Sequence, residues 1–571
     1  MMQAMMMMKR LKIAVAVLSF GVCALFLYFF FYNKALIQTS FISASYYLIL
    51  VLFLFWIATL AKAWANNRPD FRSIVRSYGV GILFCLLACA LIFVSVKPQF
   101  RILADETNLL AVSRSMTFEH RVDNVTMGNW YYSNFQPMNR ETDKRPLLYP
   151  FLTSLIHTTT GFRPENAFAV NFILLAGLLM MVFILVQRAC GASWAYGAVI
   201  LVLANPVVTQ SATSGGIELC ATFFTAASLV SLFYFLKAPD ALRFQILWAN
   251  LLMLANTRYE SALFFVILAS LLFFMKYIPG AYWGQAWIFP VTPALFLPWI
   301  WQRMIFVSHP NPFELKAGEK AFSVGHLLNH TKDFFMTGIR FDYSLPYAVP
   351  VLWLGMIGLF FLSFKTMSSR LPKHQQKFIF LSALALLAIW VTLTAYFFGI
   401  PSQAADSRFF VPFAILLSLG TVYFLSKVLS SKIGASFFLL FSILVFLLYH
   451  PQSVENRFCN SLILTREHRL VMDFLEEQPG RNFLIIAERP GMYTAKEYGA
   501  VDFNYANSHK EDVLLQLRRH LYRDIFVAQE ILYEGLLPTK ASNLDPQFQL
   551  SPILELQNNA VSFIRISRVK A

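Results

Sequence analysis

Residues 166–187, NAFAVNFILLAGLLMMVFILVQ, form a continuous apolar stretch without one charged side chain. About 20 apolar residues in a helix are enough to span the hydrocarbon core of a bilayer. The stretch therefore predicts a transmembrane helix. The composition agrees, because 57% of the 571 residues are hydrophobic and only 14% are charged, whereas soluble domains carry about 25% charged residues. With a mean hydropathy of +0.56, a soluble protein is excluded.

Comparable apolar runs occur along most of the chain. They lie near 11–32, 42–61, 78–96, 192–210, 217–236, 284–306, 346–364, 378–398, 407–426 and 434–450. Two shorter spans share 244–275, because Thr257-Arg258-Tyr259-Glu260 would put two charges inside a single helix, which is costly in lipid. We predict an α-helical polytopic membrane protein with about 13 transmembrane helices. The apolar stretch 146–160 is short and is predicted to be an interfacial or re-entrant helix.

Lys and Arg cluster in every second loop between these runs. Short cytoplasmic loops retain such residues, so the N-terminus is predicted to be cytoplasmic. The segments assigned to the inside hold 17 basic and two acidic residues, which account for +15 of the net charge of +16. The basic balance is therefore an orientation signal and gives no support to a nucleic-acid partner. The outside receives 98–146, 307–345, 399–406 and 451–571.

The predicted organisation has four parts. Residues 1–97 contain three N-terminal spans, 98–165 the first extracytoplasmic loop, 166–450 the helical core with outside loop 307–345, and 451–571 a small extracytoplasmic α/β domain. In this last part the patterns predict helices at 465–478 and 510–520 and strands at 483–486 and 524–527. A hairpin is predicted over 548–568, broken at Asn558-Asn559.

No cofactor or metal motif is visible. The chain has neither a Gly-rich phosphate loop nor a C-x-x-C pair among its six cysteines. His309, His326 and His330 share one outside loop, but their spacing matches no tight ligand pattern. We predict no cofactor and no metal site.

Two adjacent acids, Asp105 and Glu106, follow the third span. The spacing of Leu109, Leu110 and Val112 predicts a helix that begins at the acids, where its dipole favours negative charge. An ionised carboxylate at the membrane surface can take a proton from an acceptor hydroxyl. A solvated helix N-terminus is the alternative interpretation. Glu218 is interpreted as an ordinary helix start, with a side chain that faces the same cavity as the alternative. The aromatic residues from Trp130 to Phe135 are interpreted as an interface anchor, with sugar stacking as the alternative.

Five strings together resemble a known family. ADETNLLAVSRSM (104–116) is followed by KRPLLYPFLTSLIH (144–157), GFRPENAFAVN (161–171), ANTRYE (255–260) and SRFFVPF (407–413). In this order they resemble glycosyltransferase family 39, which holds the protein O-mannosyltransferases and the lipid A aminoarabinose transferases. The family lies within the C-type membrane glycosyltransferase superfamily. The resemblance covers about 98–450, with two more spans before the acidic pair than is usual.

The resemblance implies a C-type glycosyltransferase architecture and a reaction. A sugar would pass from a polyprenyl-phosphate carrier to a glycan, lipid or protein acceptor on the extracytoplasmic face. By the same resemblance Asp105 is the general base or acceptor-orienting carboxylate, and Glu106 assists it. The implied location is the bacterial inner membrane, with the C-terminal domain periplasmic and membrane lipids as neighbours.

Cations beside lipid are candidates for the phosphate group. Arg258 and Arg408 are predicted at the outside ends of spans, where topology does not explain a positive charge. Arg binds phosphate in bidentate geometry. The alternatives are local ion pairs, of Arg258 with Glu260 or Asp105 and of Arg408 with Asp406. Lys144 and Arg145 are further candidates that could instead contact lipid head groups.

Two other classes of protein remain open on the sequence. A transporter or flippase of lipid-linked sugars would show repeated halves with interrupted helices, and the interrupted run here has no visible counterpart. A polysaccharide ligase or polymerase is expected to place its main outside loop late, whereas here the large loop comes early.

Overall fold

The structure is a computed structural model. It describes residues 33–67, 71–103, 105–131, 134–275, 288–307, 320–340, 346–368, 371–429, 431–455, 463–557 and 559–570, and single positions 14, 18, 21, 22, 24, 25 and 28. The chain divides into two compact units. The first comprises 1–98, 144–151 and 168–458, and the second comprises 99–143, 152–167 and 459–571. Most of the predicted span 11–32 lies outside the described residues.

Helices dominate the described residues up to 455. They are, in chain order, α1 (Lys34–Asn67), α2 (Phe71–Ser95), α3 (Asp105–Glu119), α4 (Leu148–Thr160), α5 (Asn166–Cys190), α6 (Ala192–Leu203), α7 (Pro206–Ala212), α8 (Glu218–Lys237), α9 (Ala241–Ala255), α10 (Ser261–Phe274), α11 (Ile288–Val307), α12 (Val324–Ile339), α13 (Val349–Met367), α14 (Lys373–Ala395), α15 (Ala404–Ser407), α16 (Val411–Val428) and α17 (Lys432–Glu455). A 3-10 turn, Arg408–Phe410, joins α15 to α16.

Many of these helices suit a bilayer. Within the described ranges, eight are long and apolar enough to cross a membrane, or up to nine if the bent pair α6 and α7 is one span. Helix α5 contains the most apolar segment of the eight. Helix α4 has 13 residues, fewer than the about 20 that a span needs. The polytopic helical fold is confirmed, while the count of 13 spans stays a prediction.

The two long apolar runs that contain polar interruptions are both broken. The predicted break in 244–275 is present, since α9 ends at Ala255 and α10 begins at Ser261. The run 192–210, predicted as one span, bends by 77° between α6 and α7. Pro206 lacks the N–H that a continuous helix needs. The Val202 carbonyl, four residues before Pro206, instead accepts the Asn205 backbone N–H at 3.3 Å, and the Asn205 side-chain amide donates to the Leu201 carbonyl at 3.2 Å.

Helices α13 and α16 approach each other closely at glycine. A Cβ on Gly358 would lie 2.0 Å from the carbonyl oxygen of Gly420, and one on Gly355 would lie 2.4 Å from that of Leu417. Such small residues let two helix backbones come into contact within a membrane. The contact fixes α16, whose first residue follows Arg408–Phe410 directly.

The second unit contains a seven-stranded sheet. Its strands are β1 (Asp123–Tyr131), β2 (Asn134–Thr142), β3 (Phe483–Ile486), β4 (Gly499–Val501), β5 (Asp524–Leu532), β6 (Leu550–Gln557) and β7 (Ser562–Val569). The order across the sheet is β2-β1-β4-β3-β5-β7-β6. Strand β3 pairs in parallel with β4 and β5, and the other pairs are antiparallel.

Both faces of the central strand β3 are buried. Phe483 and Ile485 belong to one apolar cluster, whereas Leu484 and Ile486 belong to another. Helix α18 (Ile463–Glu476) packs on the first face through residues such as Val471 and Leu475. Parallel strands buried on both faces are expected to be continuously apolar, as this one is.

The predicted elements of the C-terminal region all appear. The predicted helix at 465–478 is α18, that at 510–520 is Lys510–Arg518, and the hairpin at 548–568 is β6 with β7. The sheet also takes in a hairpin from the first loop, β1 with β2, and β1 pairs with β4 at Gly128 and Ala500. Residues 98–165 and 451–571, predicted as separate parts, therefore contribute strands to one sheet.

Candidate active site

The segment before α3 is a closed turn held by Glu106. The Glu106 carboxylate accepts the backbone N–H groups of Arg101 and Ile102 at 3.0 and 3.1 Å. The Glu106 N–H in turn donates to the Ile102 carbonyl at 3.0 Å. Glu106 is only 1% exposed. Hydrogen bonds from N–H groups to an ionised carboxylate are strong ones, so Glu106 fixes the turn that precedes the helix.

Asp105 is the first residue of α3 and has a different environment. It is half-buried, whereas the neighbouring Glu106 is fully buried. The helix begins at the acidic pair, as predicted. At this position the N-terminal dipole of α3 stabilises the ionised form of the carboxylate. The two acids therefore differ: Asp105 is half-buried, whereas Glu106 is buried and bonded to backbone N–H groups.

A buried polar network holds α3 against α4. Ser113 Oγ lies 3.1 Å from Nε2 of His157, and the Asn166 amide donates to His157 Nδ1 at 2.8 Å. Since Nδ1 accepts, we infer that Nε2 carries the hydrogen and donates to Ser113, which donates to the Leu110 carbonyl at 2.7 Å. Burial lowers the pKa of His157 to about 4. The neutral imidazole is thus fully bonded.

Arg114 links α3 to the segment before β4. Its Nε donates to Glu497 Oε1 at 2.8 Å, and its guanidinium stacks on Phe135 at 4.8 Å from the ring centroid. Glu497 has a positive φ of 61°. Its carbonyl accepts the Trp130 indole N–H at 2.6 Å. The aromatic residues predicted as an interface anchor therefore include a strand residue, Trp130, that packs within this unit.

In the first unit, Arg258 and Arg408 converge on one carboxylate. Glu218 Oε1 lies 3.2 Å from Nη1 of Arg258 and 3.3 Å from Nη1 of Arg408. Glu218 is the first residue of α8 and is 4% exposed. Arg258 lies in the break between α9 and α10, and Arg408 begins the turn before α16. Three segments that are distant in the sequence thus bring their charged side chains into contact.

Glu260 and Phe409 complete this group. Glu260 Oε1 accepts a hydrogen bond from Arg258 Nε. This is one of the two local ion pairs predicted for Arg258. The Phe409 ring contacts both guanidinium groups. Its centroid lies 4.4 Å from Cζ of Arg258 and 5.2 Å from Cζ of Arg408. We call Glu218, Arg258, Glu260 and Arg408 the arginine cluster. Asp406, the predicted partner of Arg408, accepts the Ile400 N–H at 3.5 Å.

The arginine cluster lines a cavity with apolar walls. The space not filled by protein atoms is about 440 Å³, part of it open to solvent. All four residues of the cluster border it, together with the apolar side chains Leu254, Phe264, Leu386, Ile389, Phe409, Pro412 and Phe413. A concave site with a few convergent polar groups among apolar walls has the chemical character of a ligand site. The combination suits a ligand with an anionic head and an apolar body.

The backbone before α8 makes room for Glu218. A Cβ on Gly216 would lie 2.1 Å from Glu218 Oε2. The Asn171 amide donates to the carbonyls of Ser214 and Gly216 at 2.7 and 3.3 Å, which fixes this segment. The Glu218 carboxylate therefore occupies space that is free only because residue 216 has no side chain.

Lys144 and Arg145 are held through their backbone. Gln302 donates to the Arg145 carbonyl at 2.6 Å, and Arg303 donates to the Lys144 carbonyl. The Arg303 guanidinium lies 4.2 Å from the ring centroid of Tyr259, the neighbour of Arg258. Lys144 is half-buried and Arg145 is buried. The two predicted cations therefore lie in the same unit as the arginine cluster.

The described histidines of the loop 307–345 have structural partners. His326 Nε2 bonds to the Lys320 carbonyl at 3.1 Å, and His330 Nδ1 to the Thr394 carbonyl at 2.9 Å. His309 lies outside the described residues. Within the ranges that the structure describes, three or more His, Cys, Asp or Glu residues do not come together as metal ligands would.

Sequence reasoning ranked Glu218 as a helix start ahead of a place in the cavity, and it did not single out Arg303. The signal for Glu218 was Gly215-Gly216 before a buried acid, because consecutive glycines often mark a close approach. Arg303 sits at the predicted outside end of a span, where a base is not explained by topology.

Comparisons with known proteins give structural likeness alone. No family model matches the sequence, and no curated protein matches it. The apo structure of ArnT from Cupriavidus metallidurans is similar with a TM-score of 0.51 and 13% identity, over 86% of this chain and 98% of that one. The same protein bound to undecaprenyl phosphate has a TM-score of 0.49 and 13% identity over the same shares.

A third similar structure comes from Archaeoglobus fulgidus. It is the oligosaccharyltransferase AglB in complex with an inhibitory peptide and a dolichol-phosphate, with a TM-score of 0.42, 11% identity and coverage of 79% of this chain and 70% of that one. The likeness to apo ArnT over nearly its whole length shows that this chain shares the fold of that protein.

Proposed function

We propose that the protein is an integral-membrane glycosyltransferase. It takes a sugar from a polyprenyl-phosphate carrier and places it on an acceptor hydroxyl or phosphate at the extracytoplasmic face. The observation that carries the proposal is the pair of Arg258, which is buried, and Arg408, which is partly buried, beside a cavity with apolar walls. Such a site offers guanidinium groups to a phosphate and apolar side chains to a lipid chain. The fold, and the carriers bound by ArnT and AglB, support the same reaction.

The chemistry needs one base and one place for negative charge. The acceptor oxygen attacks the anomeric carbon, and the Asp105 carboxylate takes the acceptor proton. The bond between that carbon and the phosphate oxygen breaks, and the electron pair leaves with the carrier phosphate. Arg258 and Arg408 stabilise the departing phosphate by charge-assisted hydrogen bonds. A phosphate is already a good leaving group, so the carrier oxygen needs no proton.

The other predicted site residues have supporting roles in this proposal. Lys144 and Arg145 lie in the same unit as the arginine cluster and contact the carrier phosphate or nearby lipid head groups. Glu106 holds the turn that orients Asp105, as its bonds to Arg101 and Ile102 indicate. By holding this turn Glu106 would assist Asp105, as the resemblance implied.

The test is sugar transfer by the purified protein. Radiolabelled polyprenyl-phosphate sugars and membrane extract are incubated with the wild type and with Asp105→Asn. Loss of a general base is expected to slow transfer by about 10²-fold or more. Glu119→Gln, on the same helix and partly exposed, is the matched control and should transfer normally.

Two results would contradict the proposal at different levels. An Asp105→Asn protein as active as its parent removes Asp105 from catalysis. A wild type that releases sugar from none of the carriers removes the transferase function.

The proposed orientation puts the N-terminus in the cytoplasm and the C-terminal region outside the inner membrane. It is tested by single cysteines at two exposed positions, His120→Cys and Lys62→Cys. A reagent that does not cross membranes should label intact spheroplasts at 120 and not at 62. The reverse pattern would invert the topology.

A further inference from the structure

The arginine cluster contains two acids as well as two bases. Glu218 bridges both arginines and Glu260 bonds to Arg258, so the formal charges of the four residues cancel. A site that merely bound phosphate would gain affinity from an uncompensated positive charge. The buried acids therefore need a separate explanation, which rests on the proposed function.

The reaction changes the charge of the carrier phosphate. In the donor the phosphate is a diester, with one ionised oxygen. After transfer it is a monoester, whose second pKa of about 6 gives it a charge of about −1.5 to −2 at pH 7. A site with a strong net positive charge would hold the spent carrier more tightly than the donor. Such an enzyme would be inhibited by its own product.

We propose that Glu218 is a specificity-determining residue for carrier charge. Its fixed negative charge lets the site hold the singly charged diester and weakens its hold on the doubly charged monoester. Release of the spent carrier is thereby favoured after each transfer.

The geometry places the Glu218 carboxylate within the site. The carboxylate is 4% exposed, contacts both arginines through Oε1, and has Oε2 in the space left by Gly216. An exposed counter-ion would be screened by solvent and salt. This one is buried beside the cavity, where electrostatic interactions are screened much less.

The inference is tested with Glu218→Gln and two lipids of different charge. Binding of undecaprenyl phosphate and of its methyl diester is measured at pH 7.5 and pH 5.5 in nanodiscs. Removal of one buried charge near the ligand is expected to tighten binding of undecaprenyl phosphate about tenfold or more at pH 7.5. The gain should be smaller at pH 5.5, where the phosphate is largely singly charged. The gain for the methyl diester should be the same at both pH values.

The kinetic readout should follow the same rule. Undecaprenyl phosphate should inhibit transfer by Glu218→Gln more strongly than transfer by the wild type, and the difference should grow from pH 5.5 to pH 7.5. A purely structural Glu218 would give weaker binding of both lipids with no dependence on their charge. That result, or an equal gain for both lipids at both pH values, would overturn the inference.

Glu260→Gln is the second variant, in case the first does not fold. It removes the other acid of the cluster, so it should shift the preference in the same direction. Glu119→Gln is the control and should show no change in charge preference. If Glu260→Gln alone is available and leaves the preference unchanged, the inference fails. If wild type binds neither lipid and transfers no sugar, the proposed function fails instead.

Discussion

The turn before α3 and the arginine cluster are built over different distances in the sequence. Glu106 bonds to the N–H groups of residues four and five positions earlier. The arginine cluster joins residues from 218 to 408, on segments that follow three different helices. The turn can form as soon as its own few residues are in place. The cluster exists only when the helices around it are packed.

The difference predicts how each region responds to substitution. A change in the turn removes hydrogen bonds whose other partners are backbone groups nearby. A change in the cluster leaves a buried charge without its partner, which costs more than a lost hydrogen bond. The arginine cluster should therefore be the more fragile of the two.

The largest effect is expected for Arg258→Gln. It leaves Glu260 and part of Glu218 uncompensated, so it should lower the free energy of unfolding by about 3–5 kcal/mol. Unfolding in mixed micelles measures the loss. The double variant Glu260→Gln with Arg258→Gln should recover part of it, since the carboxylate that lost its arginine partner is then removed. Equal stability of Arg258→Gln and wild type would show that the cluster carries no more energy than a surface pair.

A smaller, pH-dependent effect is expected at His157. Burial lowers its pKa to about 4, below the about 6.5 of an unfolded chain. The unfolded state therefore binds more protons between these values. The contribution to stability is complete above pH 6.5 and is lost as the pH falls toward 4, by about 3 kcal/mol at most.

The measurement compares the pH dependence of unfolding in the wild type and in His157→Gln. The variant cannot take up the proton, so its stability should fall less steeply between pH 6.5 and pH 4. Parallel curves would show that the network of Ser113, His157 and Asn166 does not hold α3 as described.

The smallest effect is expected for Glu106→Gln. The amide oxygen still accepts the two N–H groups, but neutral acceptors form weaker bonds than charged ones, so the loss is about 1 kcal/mol. Sugar transfer should fall only slightly. If transfer falls as far as in Asp105→Asn, Glu106 takes part in the proton transfer and the comparison between the two acids is wrong.

The features that were predicted correctly depend on neighbouring residues. The start of α3 at Asp105, the break at 256–260 and the elements of 463–569 are all local patterns of polarity. The bend at Asn205-Pro206 was local too, and the dipeptide is a known turn signal. The apolar residues on both sides of this dipeptide favoured the prediction of one continuous span instead.

The missed features depend on partners far along the chain. Strand β1 meets β4 some 370 positions later, and Glu218 meets Arg258 and Arg408 only through helix packing. A single sequence gives the polarity of each residue but does not show which residue lies opposite it in the fold. Of the aromatic residues predicted as an interface anchor, Trp130 and Tyr131 belong to β1 and Phe135 to β2.

The shared sheet sets an order of events during synthesis. The β1–β2 hairpin emerges from the ribosome before the helices that follow it, and its neighbour β4 emerges only after them. An isolated two-stranded hairpin is marginally stable in water. The β1–β2 hairpin of the first loop therefore lacks its neighbouring strand β4 during most of translation. The sheet that includes this hairpin can be completed only after β4 has been synthesised. The region that contains Asp105 is therefore expected to reach its final structure late in biogenesis.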